Sequence, residues 1–310
     1  MAAVNLPSSQ KARILAEALP FIRSYHGKTL IIRFGGEAMA DPQLKAGFAR
    51  DVALLRLVGM NPIVVHGGGW RIDELLEQMG ITVRKHGGFR VTDEATMNVI
   101  EMVLGEINQE LVSLINRHGA KAVGIDGQDG RFIHARPLSR SARQDAPELG
   151  LVGEVESIDP DIILLLLSRG FVPVIMPIGV GADGTAFHIN SDTVAGQLAR
   201  TLHAEKLILM TNVPGVADRQ GNLAYVLTAS EVAELLADGT VGHEMRPRVA
   251  AALSAVREGV RSVHIIDGGV ESALLLEVLT NSGVGTAVRS DSGPHFLEDA
   301  RDYFATPTGE

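Results

Sequence analysis

The sequence predicts an α/β fold built around a mainly parallel central sheet, and three observations lead there. The runs Leu30-Ile31-Ile32-Arg33-Phe34 and Ile63-Val64-Val65-His66 are short and rich in Ile, Leu and Val, the pattern of strands buried on both faces. Each ends abruptly in consecutive glycines, Gly35-Gly36 and Gly67-Gly68-Gly69. Each is followed by a helical stretch, so the order reads β-α-β-α, and strands joined in this way lie parallel with right-handed crossovers.

Composition bounds what such a chain does. With 310 residues, 45% of them hydrophobic, it can bury a large core as one domain or two lobes. There is no cysteine, which excludes disulfides, thiolate zinc sites and cysteine nucleophiles. The 28 basic and 37 acidic residues give a formal charge of −9. That sign argues against nucleic acid as the main partner, while a local basic pocket can still hold a small anion. No apolar run approaches the roughly 18 residues of a membrane span. Polar and charged residues interrupt residues 1–29, which do not read as a signal peptide. The expectation is a soluble, cytoplasmic protein with no membrane partner.

The elements follow in order. Residues 8–25 read as an amphipathic helix, with Ile14, Leu15, Ala18, Leu19 and Ile22 at near-helical spacing, Ser8 or Ser9 as cap, and Pro20 bending or ending it. Such a helix, ahead of the first strand, either packs on its own domain or is lent to another subunit. Pro42 starts a helix that Gly59 stops, and another runs from about Trp70 to Met79. Residues 81–92 alternate around Gly87-Gly88, which predicts a hairpin. Thr92 and Asp93 cap a long helix to about Arg117. After a strand at 121–125, residues 131–157 read as antiparallel ribbon with a polar excursion at 139–149. A helix at 160–169, a strand at 171–176, and the run Phe187-His188-Ile189-Asn190-Ser191-Asp192-Thr193 entering a helix to Leu202 come next. Leu207–Met210 leads to the turn Asn212-Val213-Pro214-Gly215; two helices, a strand at 262–266, a helix at 272–279 and a short strand at 285–288 complete the pattern. Residues 290–310 form a polar tail.

The glycine loops carry the first functional signal. Glycines at the carboxyl end of a buried strand let backbone N–H groups approach an anion with no Cβ in the way, beside the positive end of the next helix. Two such loops, one preceded by the fixed cation Arg33, make a phosphate cradle; singly, each is also an ordinary tight strand-to-helix turn. His66 has no second histidine or carboxylate at ligand spacing, so it ends a strand, and no metal site is expected in the chain itself.

With these residues placed, the chain resembles the amino acid kinase family, in its hexameric, arginine-inhibited acetylglutamate kinase branch. The likeness runs from about residue 12 to 289. It rests on Ile31–Met39, His66–Gly69, Gly88-Phe89-Arg90-Val91-Thr92-Asp93, Glu101-Met102-Val103-Leu104-Gly105, Ile189–Gly196 and Ala273–Thr286. The resemblance implies an open three-layer α/β/α sandwich: an oligomerisation helix (1–28), an amino-acid-substrate lobe (29–205), a nucleotide lobe (206–289) and the tail (290–310). It implies ATP and Mg²⁺ as cofactors, an acylated amino acid as substrate, an acyl phosphate as product, L-arginine as effector, and a hexamer arranged as a trimer of dimers. Gly35, Gly36, Gly67 and Gly68 would supply backbone donors, with Gly68 and Gly69 reaching the amino acid side. Arg33 would neutralise the transferring group, Arg248 the departing side, and Asp192 would hold both cations. Arg90 would clamp the α-carboxylate beside His188 and Asn190. Thr211, Asn212 and Gly215 would border the nucleotide. Lys206, His264, Glu277 and Gly285 would form the arginine site.

Departures from the family pattern cluster where the chemistry is expected. Arg33 and Arg248 stand where the family has lysine, the latter in Glu244-Met245-Arg246-Pro247-Arg248. His188 stands in place of an asparagine, Asp126 and Gln128 in place of a serine and a lysine, and Asn212 in place of an aspartate. Arginine keeps the charge but presents a planar fork instead of a point charge. Three readings stay open on the residues alone: a kinase that tolerates arginine, a relative repurposed for another acyl-amino acid or reaction, and a non-catalytic binding protein.

Overall fold

The computed structural model describes residues 7–138, 148–242, 245–281 and 283–291. The first six residues, most of the polar excursion at 139–149, His243, Glu244, Ser282 and the tail beyond 291 lie outside the described residues. In chain order the elements are α1 (Ser8–Tyr25), β1 (Thr29–Phe34), α2 (Pro42–Leu57), β2 (Asn61–His66), α3 (Gly69–Gln78), β3 (Lys85–His86), β4 (Phe89–Arg90), α4 (Glu94–Arg117) and β5 (Lys121–Asp126). They continue with β6 (Ile133–Pro137), β7 (Val152–Ile158), α5 (Asp161–Ser168), β8 (Phe171–Met176), β9 (Ile178–Val180), β10 (Ala186–Ile189) and α6 (Ser191–Thr201). The last are β11 (Lys206–Thr211), β12 (Val226–Thr228), α7 (Ala229–Ala237), α8 (Arg246–Arg257), β13 (Ser262–Asp267), α9 (Ala273–Leu279) and β14 (Gly285–Arg289).

Eight strands form one sheet in the order β12-β14-β13-β11-β1-β2-β8-β5, with every pairing parallel except β13 with β14. The strands β10-β7-β6-β9 close into a small barrel, and β3 with β4 makes the expected hairpin. Because β1 pairs with β2 on one side and β11 on the other, the sheet is continuous across residue 206.

Alternation along the central strands sorts side chains into two layers. Leu30, Ile32, Phe34, Val64 and Ile208 pack toward α2, α3, α4 and α9, and Phe34 stacks on Phe48 of α2 with ring centroids 3.8 Å apart. Ile31, Ile63, Val65, Leu207 and Leu209 pack toward α6, α7 and α8 on the other face. Helices on both faces of a mainly parallel sheet make the three-layer sandwich.

Helix α1 differs from its expected form in two ways. It runs unbroken through Pro20, and residue 7, a proline, precedes it without any side-chain cap from Ser8 or Ser9. Proline removes one N–H and frees the carbonyl four residues earlier, and on a helix exposed along much of its length water can satisfy that group. Tyr25 is buried at its end, and α1 packs on α9, while Ile14, Leu15 and Leu19 stay exposed.

Candidate active site

Parallel pairing places the carboxyl ends of β1, β2, β11 and β13 along one edge of the sheet, where ligands of open α/β sheets collect. Loops 35–36, 67–69, 212–215 and 268–269 therefore share that edge. The site is built from β1 outward. Since Ile31 faces the α6 layer, Arg33 two residues on faces it too. Its Nε lies 2.7 Å from Asp192 Oδ1 and donates to Ser191 Oγ at 3.2 Å, while Nη1 donates to the Met210 carbonyl at 3.3 Å. The Asp192 contact is the shorter but poorly aligned, so it is an ion pair; the aligned hydrogen bond goes to Ser191.

Both glycine loops meet this guanidinium. A Cβ on Gly35 would fall 1.9 Å from Arg33 Nη1, and one on Gly67 would lie 3.6 Å from Nη2. Gly36 has φ +81°, and a Cβ there would fall 1.9 Å from Asn212 Oδ1, so the 212 loop leans on the first glycine loop. Gly68 packs closely on Leu104 and Ile107 of α4, which fixes the second loop on the long helix. His66 ends β2 fully buried, with its ring held by the Gly67 carbonyl (2.9 Å) and Asn108 (3.2 Å), and burial lowers its pKa to about 4.

Asn190 is the N-cap of α6: its amide oxygen accepts from the Asp192 and Thr193 N–H groups at 2.8 and 3.3 Å. Asp192 is thus in the first turn, not at the cap, and its carboxylate is left to face Arg33. The cap commits the Asn190 oxygen and leaves the amide NH₂ as the group it can offer a ligand. Arg90 ends the hairpin, is 8% exposed, and donates to Asp73 and to the Gly69 carbonyl (3.1 Å). His188 on β10 lies near enough to Arg90 that burial first, and the Arg90 charge second, lower its pKa to about 4; it is neutral at physiological pH. Arg90, Gly69 and His188 are therefore brought together beside the second glycine loop. Arg248 sits in the first turn of α8, which packs against α6. Thr211 ends β11 fully buried, its hydroxyl donating to the Val213 carbonyl at 2.9 Å and shaping the turn that leads to Gly215.

A second cluster lies on the same sheet away from this edge. His264 Nδ1 and Glu277 Oε1 are 2.5 Å apart, and Glu277 Oε2 accepts from Val284 N–H at 2.9 Å. Lys206, buried, sits 5.0 Å from the Tyr25 ring centroid, and burial lowers its pKa to about 8. A Cβ on Gly285 would strike the Ile265 carbonyl at 2.1 Å, so close pairing of β14 with β13 needs glycine there. A cavity of about 170 Å³ lined by Tyr25, Lys206, Arg261, His264 and Arg289 adjoins the cluster.

Sequence reasoning missed Asp73, Ser191 and Tyr25. Asp73 and Gly69 are four apart on α3, hence on one helix face, and that spacing was the available signal. Ser191 lay inside a quoted motif between two assigned residues; Tyr25 had no local signal.

The profile of the Amino acid kinase family matches residues 28–267. An acetylglutamate kinase of Chromobacterium violaceum is 57% identical over 285 residues, 91% of this chain and 99% of that protein. An acetylglutamate kinase of Nitrosomonas eutropha is 55% identical over 291 residues, 93% of this chain and 99% of that protein. Among solved structures, N-acetylglutamate synthase of Neisseria gonorrhoeae, in complex with coenzyme A and N-acetyl-glutamate, superposes with a TM-score of 0.82 at 26% identity. That match covers 91% of this chain, which spans 64% of the synthase. On the profile and the close relatives together, this chain belongs to the amino acid kinase family.

Proposed function

We propose that this protein transfers the γ-phosphoryl group of ATP to the side-chain carboxylate of N-acetylglutamate, forming an acyl phosphate. The observation that carries the reading is the meeting of both glycine loops over the Arg33 guanidinium, itself held by Asp192 and Ser191. A free carboxylate titrates near ~4.3 and is already ionised at neutral pH, so no general base is required. The barrier lies in bringing an anion against a phosphoryl group ringed by negative oxygens, which positioned cations and backbone N–H groups lower. Gly35 and Gly36 offer backbone donors at the sheet edge, whereas the Gly67 N–H, expected from the sequence to do the same, is taken by the Phe34 carbonyl at 3.0 Å. Arg33 faces the transferring group, Asp192 holds Arg33, and Arg248 approaches from α8. Arg90, His188 and Asn190 receive the amino acid. The residues fit the nucleotide in one testable respect: glycine at 35 and 36 lets the Arg33 guanidinium and the Asn212 side chain lie directly against the first loop, where a Cβ would strike each of them at 1.9 Å. Mg²⁺, arriving with the phosphates, supplies further charge neutralisation.

In this reading residues 29–205 serve the amino acid and 206–289 the nucleotide. Helix α1, with Ile14, Leu15 and Leu19 outward, joins subunits into a hexamer built as a trimer of dimers. Lys206, His264, Glu277 and the Gly285 backbone, closed over by Tyr25 at the end of α1, form an L-arginine site. A charged effector there would touch the oligomerising helix itself.

The test is purified protein with Mg-ATP and N-acetyl-L-glutamate, with the acyl phosphate trapped by hydroxylamine. Product above a no-enzyme control is expected. Folded protein that binds nucleotide yet traps nothing with this acid would turn the reading toward another acyl-amino acid or a binding protein.

A further inference from the structure

Arg90 is gripped along one edge. Nε (3.1 Å) and Nη2 both donate to Asp73 Oδ1, and Nη2 also donates to the Gly69 carbonyl at 3.1 Å. Of the five N–H groups of a guanidinium, those contacts engage the three on Nε and Nη2 and leave the two on Nη1. Asp73 Oδ2 accepts from Lys85 Nζ at 2.7 Å. Lys85 and Arg90 are direct cross-strand partners in the β3–β4 hairpin, a like-charge pairing that is unfavourable unless an anion lies between them. Asp73, reaching from α3, is that anion. Burial works to raise its carboxyl pKa, but the hydrogen bonds from Lys85 and Arg90 outweigh it and hold it below the usual carboxylate range.

We infer that Asp73 is the positioning residue of the amino-acid subsite: it turns Arg90 so that a ligand carboxylate meets Nη1 beside His188 instead of the side-on fork, and it holds that carboxylate in register with the phosphate loops. The inference rests on the reading that Arg90 receives the α-carboxylate. Without the Asp73 carboxylate the side-on fork, a two-donor receptor for a carboxylate, is no longer held by an anion. The ligand's own carboxylate would move into it, binding as well or better, but with the reacting carboxylate drawn out of line. A displacement of about 1 Å costs on the order of 10²-fold in rate.

The experiment compares the parent with Asp73→Asn and Asp73→Glu by steady-state kinetics and by calorimetric binding of N-acetyl-L-glutamate, with its α-carboxamide analogue as second ligand. A parent that binds acid and amide alike would refute the Arg90 reading, and this inference with it. Where the parent prefers the acid, Asp73→Asn is expected to bind it with equal or up to about threefold lower Kd while kcat falls at least about tenfold. Asp73→Glu, which keeps the charge and shifts the fork by one methylene, is expected to lose kcat without losing affinity. Binding weakened tenfold or more in the folded variants, or kcat within twofold of the parent, would overturn the inference. A merely structural lesion weakens binding and turnover together, which is the first of those outcomes. The binding arm decides the matter even for a protein without turnover.

Discussion

Gly35→Ala isolates how the site accommodates arginine. Gly35 does not adopt a left-handed φ, so alanine carries no backbone strain there. The new methyl would lie 1.9 Å from Arg33 Nη1 and 2.5 Å from Cζ, against an ordinary contact of 3.4 Å, so the guanidinium must retreat by about 1.5 Å. That breaks the 3.3 Å bond to the Met210 carbonyl and stretches the 2.7 Å contact with Asp192. One hydrogen bond from a charged donor is worth about 1.5–3 kcal/mol, so kcat/KM should fall by roughly 10- to 150-fold. Arg33→Lys alone should also lose activity, about tenfold, because one ammonium cannot reach Ser191, Asp192 and the Met210 carbonyl as Nε and Nη1 do together. The lysine, however, has no Nη1 or Cζ for the methyl to strike. In the Arg33→Lys background Gly35→Ala should therefore be nearly neutral, giving a coupling of about 1.5–3 kcal/mol in a double-mutant cycle. Hydroxamate trapping with all four proteins reads the cycle. Losses that add within about 0.5 kcal/mol would show that the fork does not lie beneath Gly35.

Arg33→Lys combined with Arg248→Lys should fall below the parent on N-acetylglutamate; a gain would mean that both arginines are imperfect substitutes in a site made for lysine. His188→Asn should improve selectivity for N-acetylglutamate over related acids by roughly 5- to 150-fold in kcat/KM, because an amide can donate and accept toward a substrate amide. An unchanged ranking across a panel of acylated and free acidic amino acids would remove His188 from the pocket. His66 and His264 are held to about 4 in the fold chiefly by burial, against ~6.5 unfolded. The unfolded chain therefore binds more protons between these values, so stability is full above pH ~6.5 and falls toward pH ~4, which Tm against pH would reveal. Asp51, raised to about 6 by burial, has the opposite sign, since the fold holds a proton there that the unfolded chain has released. Asp51→Asn should raise stability at pH 7 by up to about 3 kcal/mol and steepen the acid loss; a lower Tm at pH 7 would count against it. Deleting residues 1–25 should reduce a hexameric mass on light scattering to a dimeric one, and an unchanged mass would dissociate α1 from assembly.

What the sequence made legible was whatever is fixed locally. The strands before Gly35 and Gly67 were readable because a run of Ile, Leu and Val closing on glycine has few other uses, and parallel pairing then placed both loops on one edge. Contacts made by tertiary closure were not readable: Asp73 reaches Arg90 across 17 residues, and Ser191 reaches Arg33 across 158. Asn190 is expected from the sequence only as a ligand residue, whereas it also caps α6, a role that depends on where the helix starts. Pro20 misled because its cost depends on whether the freed carbonyl meets water, which burial decides and sequence does not.

The strand that carries Arg33 also carries the core residues Ile32 and Phe34, which face the opposite layer. Moving the cation along the strand by one residue would turn a charge into the α2 layer and a phenyl ring into the phosphate loops. Insertion and deletion are thus closed to this position as ways of adjusting how far the charge extends. Two remain: the length and shape of the side chain at 33, and the room that residue 35 leaves for it. A lysine-to-arginine exchange here is thereby coupled to a glycine two residues later, and a lineage that let residue 35 grow would lose the freedom to make it.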